Sequence, residues 1–125
     1  MFKSKMFTTF CLFTTTLLSS AKAQKIEPIQ YGNAVVYSQN LCNKHVSGGG
    51  NLDCDALTAA HRTLPFGTQI RVTNLKTDES VILTINDRGP FSKRDIIDLS
   101  PRAAKAIGLS TANGRISIRI DVLIY

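Results

Sequence analysis

The chain has 125 residues and a formal charge of +6, from 15 Lys and Arg against 9 Asp and Glu, and this length allows one domain. Lys3, Lys5 and Lys22 lie in the first 23 residues, so residues 24–125 carry only +3. No basic run interleaved with aromatics occurs, which argues against nucleic acid as a partner.

Residues 1–23 read as a secretory signal. Lys3 and Lys5 form a basic start, residues 6–18 an apolar run broken by threonines, and Ala21-Lys22-Ala23 a small-x-small cleavage site. The run is too short to span a bilayer. Cleavage is expected before Gln24, leaving residues 24–125 as a single exported domain, periplasmic or secreted, with no integral membrane segment. Cys11 leaves with the signal. The remaining pair, Cys42 and Cys54, reads as a disulfide in an exported chain. It would close a short loop and stabilise by roughly 3 kcal/mol. Cys42, Cys54 and His45 make three possible metal ligands, but no fourth can be placed, and no metal or cofactor is expected.

Tyr31-Gly32-Asn33-Ala34-Val35-Val36-Tyr37 reads as a first strand. Residues 38–55 are polar and irregular, with Gly48-Gly49-Gly50 at the tip, either a flexible loop or a place where a ligand approaches closely. Leu57-Thr58-Ala59-Ala60-His61 is a short run of small and apolar residues before a turn at Leu64-Pro65-Phe66-Gly67. Ile70 and Val72 alternate with polar residues in a further strand, and residues 76–79 make a hairpin connection. Val81, Leu83 and Ile85 then share one face of a half-buried strand. The pattern stops at Asn86-Asp87-Arg88, and Gly89-Pro90 turns the chain away. A carboxylate is thereby delivered where a rigid element opens into a loop, a good position for a catalytic group. The plainer alternative is a turn-capping Asp87 paired with Arg88.

Ile96-Ile97-Asp98-Leu99 is a brief strand carrying one acid. Ser100-Pro101 has the residue types of a helix N-cap and first position, and Gly108 sits where a helix-ending glycine belongs. Ile116, Ile118, Ile120, Val122 and Ile124 share one face of a last strand. Many short strands, one short helix and frequent turns argue for a small closed or nearly closed β-barrel. The acids beside turns in the stretches from Ile70 and from Ile96 hint at two similar halves.

Four motifs carry a resemblance: residues 57–68 (LTAAHRTLPFGT), 71–74 (RVTN), 86–91 (NDRGPF) and 97–100 (IDLS). From about Tyr31 onward the chain closely resembles the rare lipoprotein A family. The resemblance implies an all-β fold, a six-stranded double-psi β-barrel with one or two short helices, shared more distantly with expansins and barwin-like proteins. It implies an endolytic lytic transglycosylase that cuts peptidoglycan between N-acetylmuramic acid and N-acetylglucosamine, leaves 1,6-anhydro ends and prefers peptide-free strands. The family's essential histidine falls on His61 and its essential aspartate on Asp87. Asp98 matches an acid that expansin-like relatives place beside the sugar groove. Arg88, Asn86 and Thr58, from the same motifs, are the expected substrate contacts. Gly50 stands where the family usually has an acid, with Asp53 and Asp55 nearby. Peptidoglycan strands are the expected partner, and a monomer the expected state.

One acid/base group suffices for this chemistry, because the substrate's own C6 hydroxyl attacks C1. Asp87 is the first candidate. An isolated Asp titrates near ~3.9, so it must be desolvated or lie beside another carboxylate, for which Asp98 is available. Asp98 has a structural alternative at the start of the helix. Arg88 is expected to point away from Asp87 or to meet substrate. His61 has three open roles, orienting substrate, bonding Asp87 or carrying the proton, beside the plain one of a satisfied structural histidine. The reading expects His61 and Asp87 in one sugar-sized groove. The competing functions are a non-catalytic, expansin-like wall-binding module and a small secreted effector or inhibitor.

Overall fold

The structure, a computed structural model, describes residues 26–124; the expected signal segment lies outside them. The strands are β1 (Ile29–Val36), β2 (Thr58–His61), β3 (Gln69–Asn74), β4 (Ser80–Asp87), β5 (Ile97–Leu99) and β6 (Ile116–Ile124), with one α-helix, α1 (Pro101–Ala106). A 3-10 turn, Gln39–Leu41, follows β1. The strands close into a barrel in the order β1-β5-β2-β4-β3-β6, so no sheet edge is left exposed.

The pairing has an internal two-fold pattern. The β1–β5 and β2–β4 pairs are parallel, while β1–β6, β3–β4, β2–β5 and β3–β6 are antiparallel. Advancing every strand by three positions leaves this list unchanged. The halves are therefore β1–β3 and β4–β6, each crossing over the other through a parallel pair. The expected six-stranded double-psi barrel is the fold found, and its repeat runs over longer units than the Ile70 and Ile96 stretches suggested.

Alternation decides what fills the barrel. Ala34, Ala59, Ile70, Val72, Leu83, Ile85, Ile97, Leu99, Ile118 and Ile120 point inward and are almost wholly buried. Helix α1 closes part of the core with Ala103 and Ala104, joined by Ile107 and Leu109. Ser100 caps it by accepting from the Ala103 N–H, Pro101 opens it, and Gly108 follows at φ +80°. A second apolar cluster of Tyr37, Val46, Leu52 and Ala60 lies outside the barrel, beneath the 38–55 segment. Cys42 and Cys54 are bonded as expected, with Cα atoms 5.6 Å apart, and clip that segment into a loop.

Candidate active site

The second cluster floors a cleft of about 430 Å³. One set of lining residues comes from the clipped loop (Leu41, Lys44, His45, Val46), another from the chain after β4 (Arg88 to Ser92). Asp87 and Asp98 both open into it.

Register explains how two carboxylates meet there. Asp98 pairs with Val35 of β1 on one side and Ala60 of β2 on the other. Ala60 in turn pairs with Asp87 of β4. Val35, Asp98, Ala60 and Asp87 therefore form a row across four neighbouring strands, all on the outer face. Directly paired residues point the same way, and Ala60, packed with Tyr37, Val46 and Leu52, puts only a methyl group between the two acids.

Simple alternation would have put Asp87 on the inner face with Leu83 and Ile85. A bulge prevents this. Ala59 pairs with Ile85 but Ala60 with Asp87, so Asn86 is the extra residue. One inserted residue reverses the phase and turns Asp87 outward, the re-aiming that bulges perform beside functional sites. Gly48 fits against this bulge: its N–H donates to the Asn86 carbonyl at 2.9 Å. A Cβ at Gly48 would lie 2.5 Å from that same oxygen. Among the three glycines of the loop tip, Gly48 makes a close approach to the chain's own backbone rather than to a ligand.

The carboxyls have opposite surroundings. Asp87 Oδ2 accepts a 2.5 Å hydrogen bond from the Tyr37 hydroxyl, and Oδ1 accepts from the Ser47 and Arg88 N–H groups at 2.8 and 2.9 Å. Burial pushes its pKa up, but the bonds from Tyr37, Ser47 and Arg88 outweigh burial and hold it below the ordinary value. Asp98 has a buried Oδ1 with no hydrogen-bond partner. Burial, then the charges of Asp87 and Asp95, push its pKa up to about 7. Near neutrality one carboxyl is firmly ionised and its neighbour is poised to hold a proton. Asp95 is committed elsewhere, in an ion pair with Arg115.

His61 is not brought to this pair. It is one residue beyond Ala60 and pairs with Ile97, so it lies on the inner face. It is 5% exposed. Its Nδ1 accepts from the Thr63 and Leu64 N–H groups, both at 3.1 Å, and its Nε2 faces Gln30 Oε1 at 2.9 Å. That pattern fits the neutral ring protonated at Nε2. Burial, then Arg62 and Arg88, push its pKa down to about 4. His61 does not line the cleft.

Arg88 turns away from Asp87, one of the two orientations expected for it. Its Nη1 donates to the carbonyls of Leu64 at 2.7 Å and His61 at 3.2 Å, and its guanidinium lies 4.0 Å from the Phe66 ring centroid. Thr58 and Asn86 do not line the cleft, and Thr58 Oγ1 and Asn86 Oδ1 are buried without partners. Asp53 and Asp55 are outside it too; Asp53 Oδ1 accepts the Asp55 N–H. Sequence reasoning missed Tyr37 as a site residue. Its signal was slight: a tyrosine ending a buried strand needs a partner for its hydroxyl.

Comparison with known proteins follows the same lines. A family model described as lytic transglycolase matches residues 29–120. A probable endolytic peptidoglycan transglycosylase RlpA of Synechocystis is 46% identical over 99 residues, covering 78% of this chain and 31% of the relative. The endolytic peptidoglycan transglycosylase RlpA of Neisseria meningitidis is 42% identical over 103 residues, covering 82% of this chain and 43% of the relative. The chain thus spans less than half the length of these curated relatives. Among solved structures, an expansin of Clavibacter michiganensis in complex with cellohexaose superposes with a TM-score of 0.59 at 22% identity, over 76% of this chain and 50% of that one. A Streptomyces papain inhibitor gives 0.59 at 18% identity, over 76% of this chain and 94% of that one. These two share the fold. On the match from β1 into β6, the chain belongs to the lytic transglycolase family of double-psi β-barrel domains.

Proposed function

We propose that the chain is an endolytic peptidoglycan lytic transglycosylase in which Asp98 is the acid/base and Asp87 the accompanying carboxylate. The observation carrying this reading is the unlike pair of carboxyls in one cleft, Asp87 held ionised and Asp98 drawn up to about 7. Two titratable groups whose surroundings drive their pKa values apart are an acid and a base by assignment. Exported, cell-envelope action fits the Cys42–Cys54 disulfide.

In the first step Asp98 gives its proton to the glycosidic oxygen. The C1–O bond breaks, the leaving sugar departs as an alcohol, and positive charge develops at C1 of the muramyl ring. Asp87, anionic and fixed by its three hydrogen bonds, stabilises that charge. In the second step the muramyl C6 hydroxyl attacks C1 and its proton returns to Asp98. The 1,6-anhydro ring closes, no water is consumed, and the enzyme regains its starting protonation. The acid/base role first expected of Asp87 passes to Asp98, because Asp87 has three donors and Asp98 Oδ1 has none.

His61 then acts at one remove. Its ring fixes the turn at Thr63 and Leu64, and Arg88 is anchored on the carbonyls of His61 and Leu64. This makes it a positioning residue for the chain beside Asp87.

The test is incubation of residues 24–125 with peptide-free glycan strands, followed by mass spectrometry for anhydro-muramyl ends. Products from the wild type that vanish with Asp98→Asn and fall sharply with Asp87→Asn support the assignment. Products undiminished in Asp98→Asn refute it. Binding without products from the wild type would instead make the domain a glycan-binding module.

A further inference from the structure

Phe91 is the most exposed large apolar side chain of those described, at 88%. A phenyl ring in water is costly, and this one stands at the cleft that holds the two acids, four positions beyond Asp87. It is also seated. The ring edge stands close to Gly89, where the φ is +133° and an added Cβ would meet Phe91 Cε2 at 3.6 Å. Leu41, 42% exposed, contributes a second bare apolar group to the same cleft from the clipped loop. Polar groups stand among the apolar lining: Lys44, His45, Ser92 and the carboxyls. Flat aromatic surface with hydrogen-bonding groups nearby suits a pyranose ring, which presents C–H bonds on its faces and hydroxyls at its edge.

We infer that Phe91 is a sugar-stacking platform, with Leu41 beside it, holding one saccharide of the glycan next to the Asp98–Asp87 pair. This rests on the glycan reading above and goes beyond it by naming a binding residue, the last of the 86–91 motif, that was not among the expected substrate contacts Arg88, Asn86 and Thr58. The occupant is a sugar rather than a protein side chain, since the platform belongs to a concave site containing paired carboxyls, not to a flat surface.

The chain contains no tryptophan, so Phe91→Trp places a single indole in the cleft as a reporter. On titration with peptide-free glycan strands its emission is expected to shift and change intensity, with affinity close to that of the wild type. Phe91→Ala, at so exposed a position, is expected to keep the wild-type melting temperature while weakening strand affinity about tenfold, as removal of a stacking partner does; in turnover the loss appears in KM more than in kcat. Affinity of Phe91→Ala within twofold of wild type, or a silent indole at strand concentrations that saturate the wild type, overturns the platform alone. A wild type that neither binds nor cleaves the strands overturns the glycan reading, and the platform falls with it. The two failures are distinguished by wild-type binding.

Discussion

Replacing Asp98 with asparagine keeps the side chain's shape and removes its charge. The folded protein holds the Asp98 proton up to about pH 7, whereas the unfolded chain releases it near ~3.9. The folded value is the higher, so its contribution to stability is complete below ~4 and is lost as pH rises towards 7. At ~1.36 kcal/mol per pH unit that interval is worth roughly 4 kcal/mol. Water reaching the carboxyl from the cleft screens it, and halving the figure gives about 2 kcal/mol. Asp98→Asn escapes the loss. For a domain of this size ~2 kcal/mol corresponds to roughly 8–16 °C in Tm. Scanning calorimetry of both proteins should therefore give nearly equal Tm values at pH 4 and a variant higher by that amount at pH 8. The lowered pKa of His61 weakens the fold as pH falls below ~6.5, but it acts on both proteins and cancels in the difference. A Tm difference independent of pH would refute the claim that Asp98 titrates in this window, and with it the acid assignment.

Activity should fall as pH rises through about 7, where Asp98 loses its proton, and fall at low pH where Asp87 gains one. Tyr37→Phe removes a donor that favours the Asp87 carboxylate, so it should move the low-pH limb of the rate profile upward by about one unit, from a charge-assisted bond worth ~1.5 kcal/mol. Gly48→Ala forces a Cβ to within 2.5 Å of the Asn86 carbonyl oxygen; the loop must shift, the Ser47 N–H must leave Asp87, and kcat/KM should drop tenfold or more, by roughly ~1.4 kcal/mol, with strand binding less affected. Cys42→Ser with Cys54→Ser should lower stability by about 3 kcal/mol, measured by urea denaturation, and a mass rise on reduction of the wild type should confirm the bond directly.

The apolar periods made the barrel legible. Val81, Leu83 and Ile85, and Ile116 through Ile124, alternate without interruption, and Ser100-Pro101 with Gly108 bracketed the helix. Of the residues singled out from the sequence, Asp87, Asp98 and Arg88 line the cleft while His61, Asn86 and Thr58 do not, and the facing that decides this was not legible. Alternation is a property of one strand, but a bulge is a mismatch between two, so nothing in Ile85-Asn86-Asp87 announces that Asp87 departs from the Leu83–Ile85 face. The pairing of Ala59 with Ile85 and of Ala60 with Asp87 carries that information. Tyr37 escaped notice for the same reason: its partner is fifty positions away.

Phase also accounts for the division of labour between His61 and the acids. Ala60 sits between Asp98 and Asp87 in the outer row; His61, one residue on, must face the other way. A histidine at position 60 would occupy the gap the two carboxyls need, and its imidazolium would hold both of them ionised. Alanine there, packed with Tyr37, Val46 and Leu52, keeps the position between the acids small and apolar, so that burial and the Asp87 charge together raise Asp98. Placing the imidazole behind the strand keeps its positive charge out of the site altogether, since the ring is neutral above about pH 4. On the proposed assignment, the arrangement that keeps His61 out of the proton transfer is therefore the same one that suits Asp98 to it.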